Sequence, residues 1–329
     1  MTAHLVLLAF LVSAGSLLLL RPWAGALGLA APADVPAVQG FHAPVLGGVA
    51  LVLALAAVWL RVDGGPAALG MVLAIAAVRN VAGFRAESAR LGYLLHWGLD
   101  VITAVTLLRG LGHSLATPQA WLAVLACVAL MQGIHRLRSL DGLAALTGLV
   151  AFAGLACLTE APAAQWLAAA AAAALAGLLL FNLPFRANRN WRVTLGQGGG
   201  GALALVLMAA ALLALAAPPA GAGLAVTPVR LLWLVPIPVC ELLAMLAGRP
   251  PAHQRLLQVG FSVVAIFLLY LYVTLVAAVV ALTLSQPDAV LLGTFAVLVL
   301  LWFLALWQAP RLMWLLPWRL RRIDVPKAP

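Results

Sequence analysis

Residues 258–284 read QVGFSVVAIFLLYLYVTLVAAVVALTL, a stretch without one charged side chain. A helix needs roughly 20 mainly apolar residues to cross a bilayer, so this stretch is long enough to span. Ten further apolar runs of membrane length accompany it, at about 3–20, 45–60, 66–83, 91–109, 118–134, 142–158, 164–181, 200–217, 224–247 and 289–308. The breaks between runs hold turn formers, as in Asp63-Gly64-Gly65-Pro66, Pro218-Pro219, Pro250-Pro251 and Gln286-Pro287. The alanines Ala168–Ala174 are low in complexity yet still read as helix, Ala being the best helix former. The expected fold is therefore an all-α membrane protein. It is a polytopic bundle of about eleven transmembrane helices, with one domain over 1–329 and no internal repeat.

Composition agrees. Hydrophobic residues make up 65% of the chain and charged residues 9%, against roughly 25% charged in a soluble domain. Such a chain cannot cover a water-facing surface. Aromatics are 7%, so the apolar mass is Leu, Ala and Val, which suits helices better than the alternation of a β-barrel. The net charge of +10 does not imply nucleic acid, because no soluble domain carries a basic patch. Cys127, Cys157 and Cys240 lie in separate apolar runs with no CxxC or Cys/His spacing, and read as small core residues. The first run is not a signal peptide by charge order: only His4 precedes it and Arg21 follows it.

Lys and Arg set the orientation. With the N-terminus outside, the inner segments hold Arg21; Arg79, Arg85 and Arg90; Arg136 and Arg138; Arg186, Arg189 and Arg192; Arg249 and Arg255; and Arg311, Arg319, Arg321, Arg322 and Lys327. That is 16 of the 19 basic residues, leaving Arg61, Arg109 and Arg230. The expectation is a periplasmic N-terminus, a cytoplasmic C-terminus, and a multi-pass protein of the inner membrane. The basic tail 309–329, with Arg319–Lys327, is placed to anchor at anionic headgroups.

Five patterns on the inner side recur in order. Pro44-Val45-Leu46-Gly47-Gly48 stands before the second run. Arg79-Asn80-Val81-Ala82-Gly83-Phe84-Arg85-Ala86-Glu87-Ser88-Ala89-Arg90-Leu91-Gly92-Tyr93-Leu94 ends the third. Gln132-Gly133-Ile134-His135-Arg136-Leu137-Arg138-Ser139-Leu140-Asp141-Gly142-Leu143-Ala144 comes next. Phe181-Asn182-Leu183-Pro184 precedes Leu195-Gly196-Gln197-Gly198-Gly199-Gly200. Pro238-Val239-Cys240-Glu241 precedes His253-Gln254-Arg255-Leu256-Leu257. Over about residues 39–260 these resemble the polyprenyl-phosphate N-acetylhexosamine-1-phosphate transferases, of the glycosyltransferase family 4 type. That family begins O-antigen, common-antigen and teichoic-acid synthesis and makes the first lipid intermediate of peptidoglycan.

The resemblance implies a helical bundle with a cytoplasm-facing cleft, and transfer of a sugar phosphate from a UDP-sugar to polyprenyl phosphate with release of UMP. Magnesium would hold the diphosphate there through carboxylates. This chain departs from that pattern where the metal matters. Ala82 and Gly83 replace paired aspartates, Arg138 and Gln197 replace two more, Val45 replaces an arginine, and His253 stands alone for a cluster. Asp63, Asp100, Glu160 and Asp288 read as lying toward the outer half, Asp34 precedes the second helix, and Asp324 is in the tail. Only Glu87, Asp141 and Glu241 remain near the expected cleft.

The leading expectation is a degenerate homologue in bacterial cell-envelope glycan biogenesis. It would have no metal ligand and no cofactor, and bind polyprenyl phosphate or another anionic lipid, with a UDP-sugar and a second copy of the chain as further candidate partners. Magnesium enters only if catalysis persists. The candidate catalytic residues are Asp141 and His253, and the candidate substrate-binding residues are Arg138, His135, Asn182, Gln197, Arg255 and Glu241. Bland readings stand beside these. Asp141 with Arg138 reads equally as an ion pair or helix cap, His253 as a solvated loop histidine, and Asn182 as a helix-end cap. Gly198–Gly201 reads as a flexible turn or as a close approach to phosphate. His96 and Asp100, four apart, read as a pair within one helix. Two other expectations are an active transferase rebuilt around Asp141, Glu241 and Glu87, and a non-catalytic transporter or assembly partner.

Overall fold

The computed structural model describes residues 3–29, 43–62, 67–88, 93–138, 140–183, 192–217 and 225–312. The Glu87 and Ser88 side chains, Arg90, Leu91, Pro184, Arg186, Arg189, the Arg311 side chain and the tail from residue 313 lie outside them, as do Asp34, Asp63, Pro218 and Pro219. The described residues form helices α1 (Ala3–Leu20), α2 (Gly47–Trp59), α3 (Ala67–Ser88), α4 (Tyr93–Gly110), α5 (Pro118–Leu137), α6 (Leu143–Leu158), α7 (Pro162–Asn182), α8 (Gly196–Ala216), α9 (Pro228–Leu234), α10 (Pro236–Leu246), α11 (Ala252–Val259), α12 (Val263–Thr283) and α13 (Asp288–Leu312). No strand occurs among them; the single β-type contact is an isolated parallel bridge between Val45 and Thr194.

Local chemistry sets the boundaries. Thr117, Thr227 and Ser262 each accept a hydrogen bond from the backbone N–H three residues on, which caps α5, α9 and α12. Pro118 and Pro228 fill the first helical position, where a missing N–H costs nothing. At Gly260 the chain takes φ 108°, and that left-handed residue ends α11.

Every apolar run contains helix, but among the described residues seven helices are long and apolar enough to cross a membrane alone: α1, α3, α5, α7, α8, α12 and α13. An eighth crossing exists if α9 and α10, bent by 88° at Val235, count as one broken span. The bend has a covalent cause. Pro236 and Pro238 have no N–H, so the carbonyls of Leu232 and Leu234 lose their usual partners one turn on. Helices α2 and α6 are apolar but shorter; at 1.5 Å per residue, thirteen residues reach only about 20 Å. Helix α4 carries His96, Asp100 and Arg109. The chain is thus an α-helical multi-pass membrane protein. The most apolar 18-residue stretches of α1 and α13 are less than a quarter buried, as those of lipid-facing helices are.

One connected apolar core draws on all thirteen helices. Its tightest seam overturns a reading from the sequence. Gly198–Gly201 form no turn: they lie in the first turns of α8, all buried. A Cβ on Gly198 would lie 2.0 Å from the Asn80 carbonyl oxygen, and one on Gly199 2.8 Å from Gly48 Cα. Gly83 on α3 meets Gly198 Cα at 2.5 Å by the same measure. Bare glycine backbones let α2, α3 and α8 touch, as small residues do between helices in lipid.

Candidate functional site

Polar side chains gather where α3, α5 and α7 finish and α2, α6 and α8 begin, in three groups. The first lies deepest. Arg79 of α3 donates from Nη2 at 2.5 Å and from Nε at 3.1 Å to Oδ1 of Asp100 on α4. Gln132 of α5 donates to the other oxygen at 2.7 Å. His135 Nε2 lies 3.1 Å from Arg79 Nη2 and 3.6 Å from Asp100 Oδ2. Both Arg79 and Asp100 are fully buried. The guanidinium fits because Gly83 and Gly201 have no side chain: a Cβ would meet Arg79 Nη1 at 2.3 Å from the first and Arg79 Cζ at 2.6 Å from the second. The Asp100 carboxylate thus pairs with Arg79, at the end of the bundle where the candidate residues gather, and not apart from them as its expected place in the other half would have it. Its partners come from α3 and α5, not from the within-helix spacing to His96 alone.

The second group joins α5, α10, α11 and α12 around Glu241, which is fully buried. Ala252 at the start of α11 donates its N–H to both carboxylate oxygens, at 3.0 and 3.3 Å. Tyr270 donates its hydroxyl at 3.0 Å. Arg136 Nε lies 3.5 Å from Oε2, and His253 Nδ1 lies 3.7 Å from Oε1. His253 is fully buried, so it is not a solvated loop residue.

The third group lies where α7 ends and α6 and α8 begin. Asp141 lies 3.8 Å from Arg192. Burial raises the Asp141 carboxyl to about 6, with Arg192 opposing the rise. Asn182, the last residue of α7, accepts from Gly142 N–H at 2.9 Å and donates to the Val193 carbonyl at 2.6 Å. It ties three chain segments together and so acts as more than a cap of its own helix. Gly142 takes φ 84°, which a side chain would resist.

Of the candidate residues, the fold brings Glu241 to His253, and Asn182 to the backbone beside Asp141. His135 joins the deep network, and Arg138 stands close enough to it to act electrostatically. Gln197 is buried in the first turn of α8, and Arg255 is half-buried on α11. Sequence reasoning passed over Arg79, Gln132, Tyr270 and Arg192 as site residues. Charge inside an apolar helix was the available signal for Arg79.

On the side of α5 and α10 toward the far end of the bundle lies a cavity of about 580 Å³ lined almost wholly by apolar residues, among them Leu130, Leu207, Met208, Leu231, Pro238 and Leu242. It sits beneath the α9–α10 bend. No protein-family model matches the chain, and no curated protein matches it either.

Proposed function

We propose that this protein binds an anionic isoprenoid lipid, most simply a polyprenyl phosphate, as a degenerate relative of the sugar-1-phosphate transferases, and performs no metal-dependent transfer. One observation carries this reading. Each described carboxylate in the polar groups faces an arginine of its own chain: Asp100 faces Arg79, Glu241 faces Arg136, and Asp141 faces Arg192. A magnesium ion needs carboxylates free to bind it. Here the donor set does not suit one, and Arg79 fills the space beside Gly83. Arginine pairs well with phosphate, and the apolar cavity suits a hydrocarbon chain. In the same reading the chain makes eleven crossings of a bacterial inner membrane, with the N-terminus periplasmic and the arginine-rich end cytoplasmic, and serves envelope glycan biogenesis.

The test uses purified protein with a UDP-N-acetylhexosamine, undecaprenyl phosphate and magnesium. UMP release should stay at background, while undecaprenyl phosphate should bind in preference to undecaprenol. Turnover by the unaltered protein, abolished by Asp141→Asn, would overturn the inactive reading and favour a rebuilt transferase. A second reading, transport, is supported by the Arg79–Asp100–His135 network, since intramembrane ionisable groups often mark ion pathways. Substrate flux in proteoliposomes would favour it.

A further inference from the structure

The surroundings of Glu241 consist of donors and cations. The Ala252 N–H lies at a helix N-terminus whose N-cap, Pro251, supplies no side-chain cap. To it are added the Tyr270 hydroxyl, the Arg136 guanidinium and the His253 ring. Helix N-termini and arginines are the usual partners of phosphate oxygens. The pocket is therefore chemically an oxyanion site, and its present occupant is a carboxylate of the same chain.

Two further features bear on what else fits there. Arg136 is 17% exposed while Glu241 is fully buried, so the cation reaches the surface and its anion does not. Arg136 also donates from Nη2 to the Arg249 carbonyl at 2.6 Å, which ties it to the α10–α11 loop. The apolar cavity begins at Pro238 and Leu242, and Pro238 is one helical turn from Glu241 on α10. A lipid with its chain in the cavity would carry its head toward the arginine-rich end, past this turn.

We propose that Glu241 occupies, from within the chain, an oxyanion pocket that also accepts the phosphate of a lipid headgroup, so that headgroup and Glu241 compete for Arg136, Tyr270 and the α11 N-terminus. This proposal rests on the lipid-phosphate reading above and adds its regulation. The unliganded protein is self-capped. A bound phosphate takes Arg136 and the Ala252 N–H from Glu241, and the second of these is the contact that joins α11 to α10.

The experiment measures binding of farnesyl phosphate to purified protein, with farnesol as the uncharged control and inorganic phosphate as the chain-free one. Preference of the unaltered protein for farnesyl phosphate over farnesol tests the lipid-phosphate reading alone. The change in Glu241→Gln tests the competition. Glutamine keeps one acceptor oxygen for Ala252 and Tyr270 but removes the charge, so farnesyl phosphate should bind about tenfold more tightly, the worth of a charge-assisted contact. Adding Arg136→Gln should erase the gain. A gain for farnesyl phosphate alone assigns the pocket to a lipid head; an equal gain for inorganic phosphate assigns it to free anion, and either supports competition. Unchanged or weaker binding in Glu241→Gln overturns it. Should that variant not fold, Arg136→Gln decides: farnesyl phosphate should bind about tenfold more weakly with farnesol binding unchanged, and unchanged farnesyl phosphate binding would overturn the proposal.

Discussion

Arg79 and Asp100, on neighbouring helices and twenty-one residues apart in the chain, form an ion pair with N–O separation 2.5 Å and no exposure of either side chain. With both side chains fully buried, neither charge has water to fall back on. Removing one leaves the other buried and unpaired, which costs about 3–5 kcal/mol in protein interiors. Asp100→Asn and Arg79→Met should each lower the unfolding midpoint in detergent sharply. The double variant Arg79→Met/Asp100→Asn, which keeps an acceptor for Gln132, should recover most of the loss. Additive losses in the double variant would show that the two side chains act separately.

Placing a carboxylate at position 83 should fail for steric reasons. A Cβ on Gly83 lies 2.3 Å from Arg79 Nη1 and 2.5 Å from Gly198 Cα, and Gly198 is backbone that cannot swing away. Gly83→Asp should therefore give little monodisperse protein, whereas Ala82→Asp, at a half-buried position, should purify normally. Equal yields would mean that α3 and α8 stand farther apart than described.

The Asp141 carboxyl gives a pH signature. Its folded value of about 6 exceeds the ordinary 3.8 because burial disfavours the charged form. The folded state thus holds the proton more tightly than the unfolded chain. Its contribution to stability is fully present below the unfolded value and is lost as pH rises through the folded one. Between roughly pH 4 and 6 the unaltered protein should lose stability as pH rises. Asp141→Asn, followed by thermal unfolding across that range, should flatten the slope.

Topology is open to reporter fusions. A cytoplasm-active reporter joined after Lys327 should be active, and a periplasm-active one inserted near Gln286, in the connection between α12 and α13, should be active too. The reverse pattern at either site would break the eleven-crossing reading, and the inner-side arrangement of the polar groups with it.

The bundle was legible because apolar runs bounded by Pro and Gly report directly on burial in lipid; 258–284 contains all of α12. Length was less legible. Runs such as 45–60 look sufficient in composition, but Gly47–Trp59 is what folds as helix. The glycines at 198–201 misled because a glycine costs about 1 kcal/mol in an isolated helix, a local rule that close packing against Gly48, Gly83 and Asn80 overrides. Glu241 and His253 could be picked out singly, but their meeting depends on the α10–α11 turn. The Arg79–Asp100 pair depends on how α3 packs against α4, and no spacing along one helix encodes that.

His135 and Arg136 are consecutive on α5, yet one enters the Asp100 network and the other the Glu241 pocket. Successive residues on a helix point about 100° apart, so the two contacts fix the azimuth of α5 as two teeth fix a gear. A single alanine inserted between Gly133 and Ile134 would turn both residues out of mesh at once. The same shaft gives the two polar groups a rigid mechanical link: any rotation of α5 that loosens Glu241 must also shift His135 against Asp100.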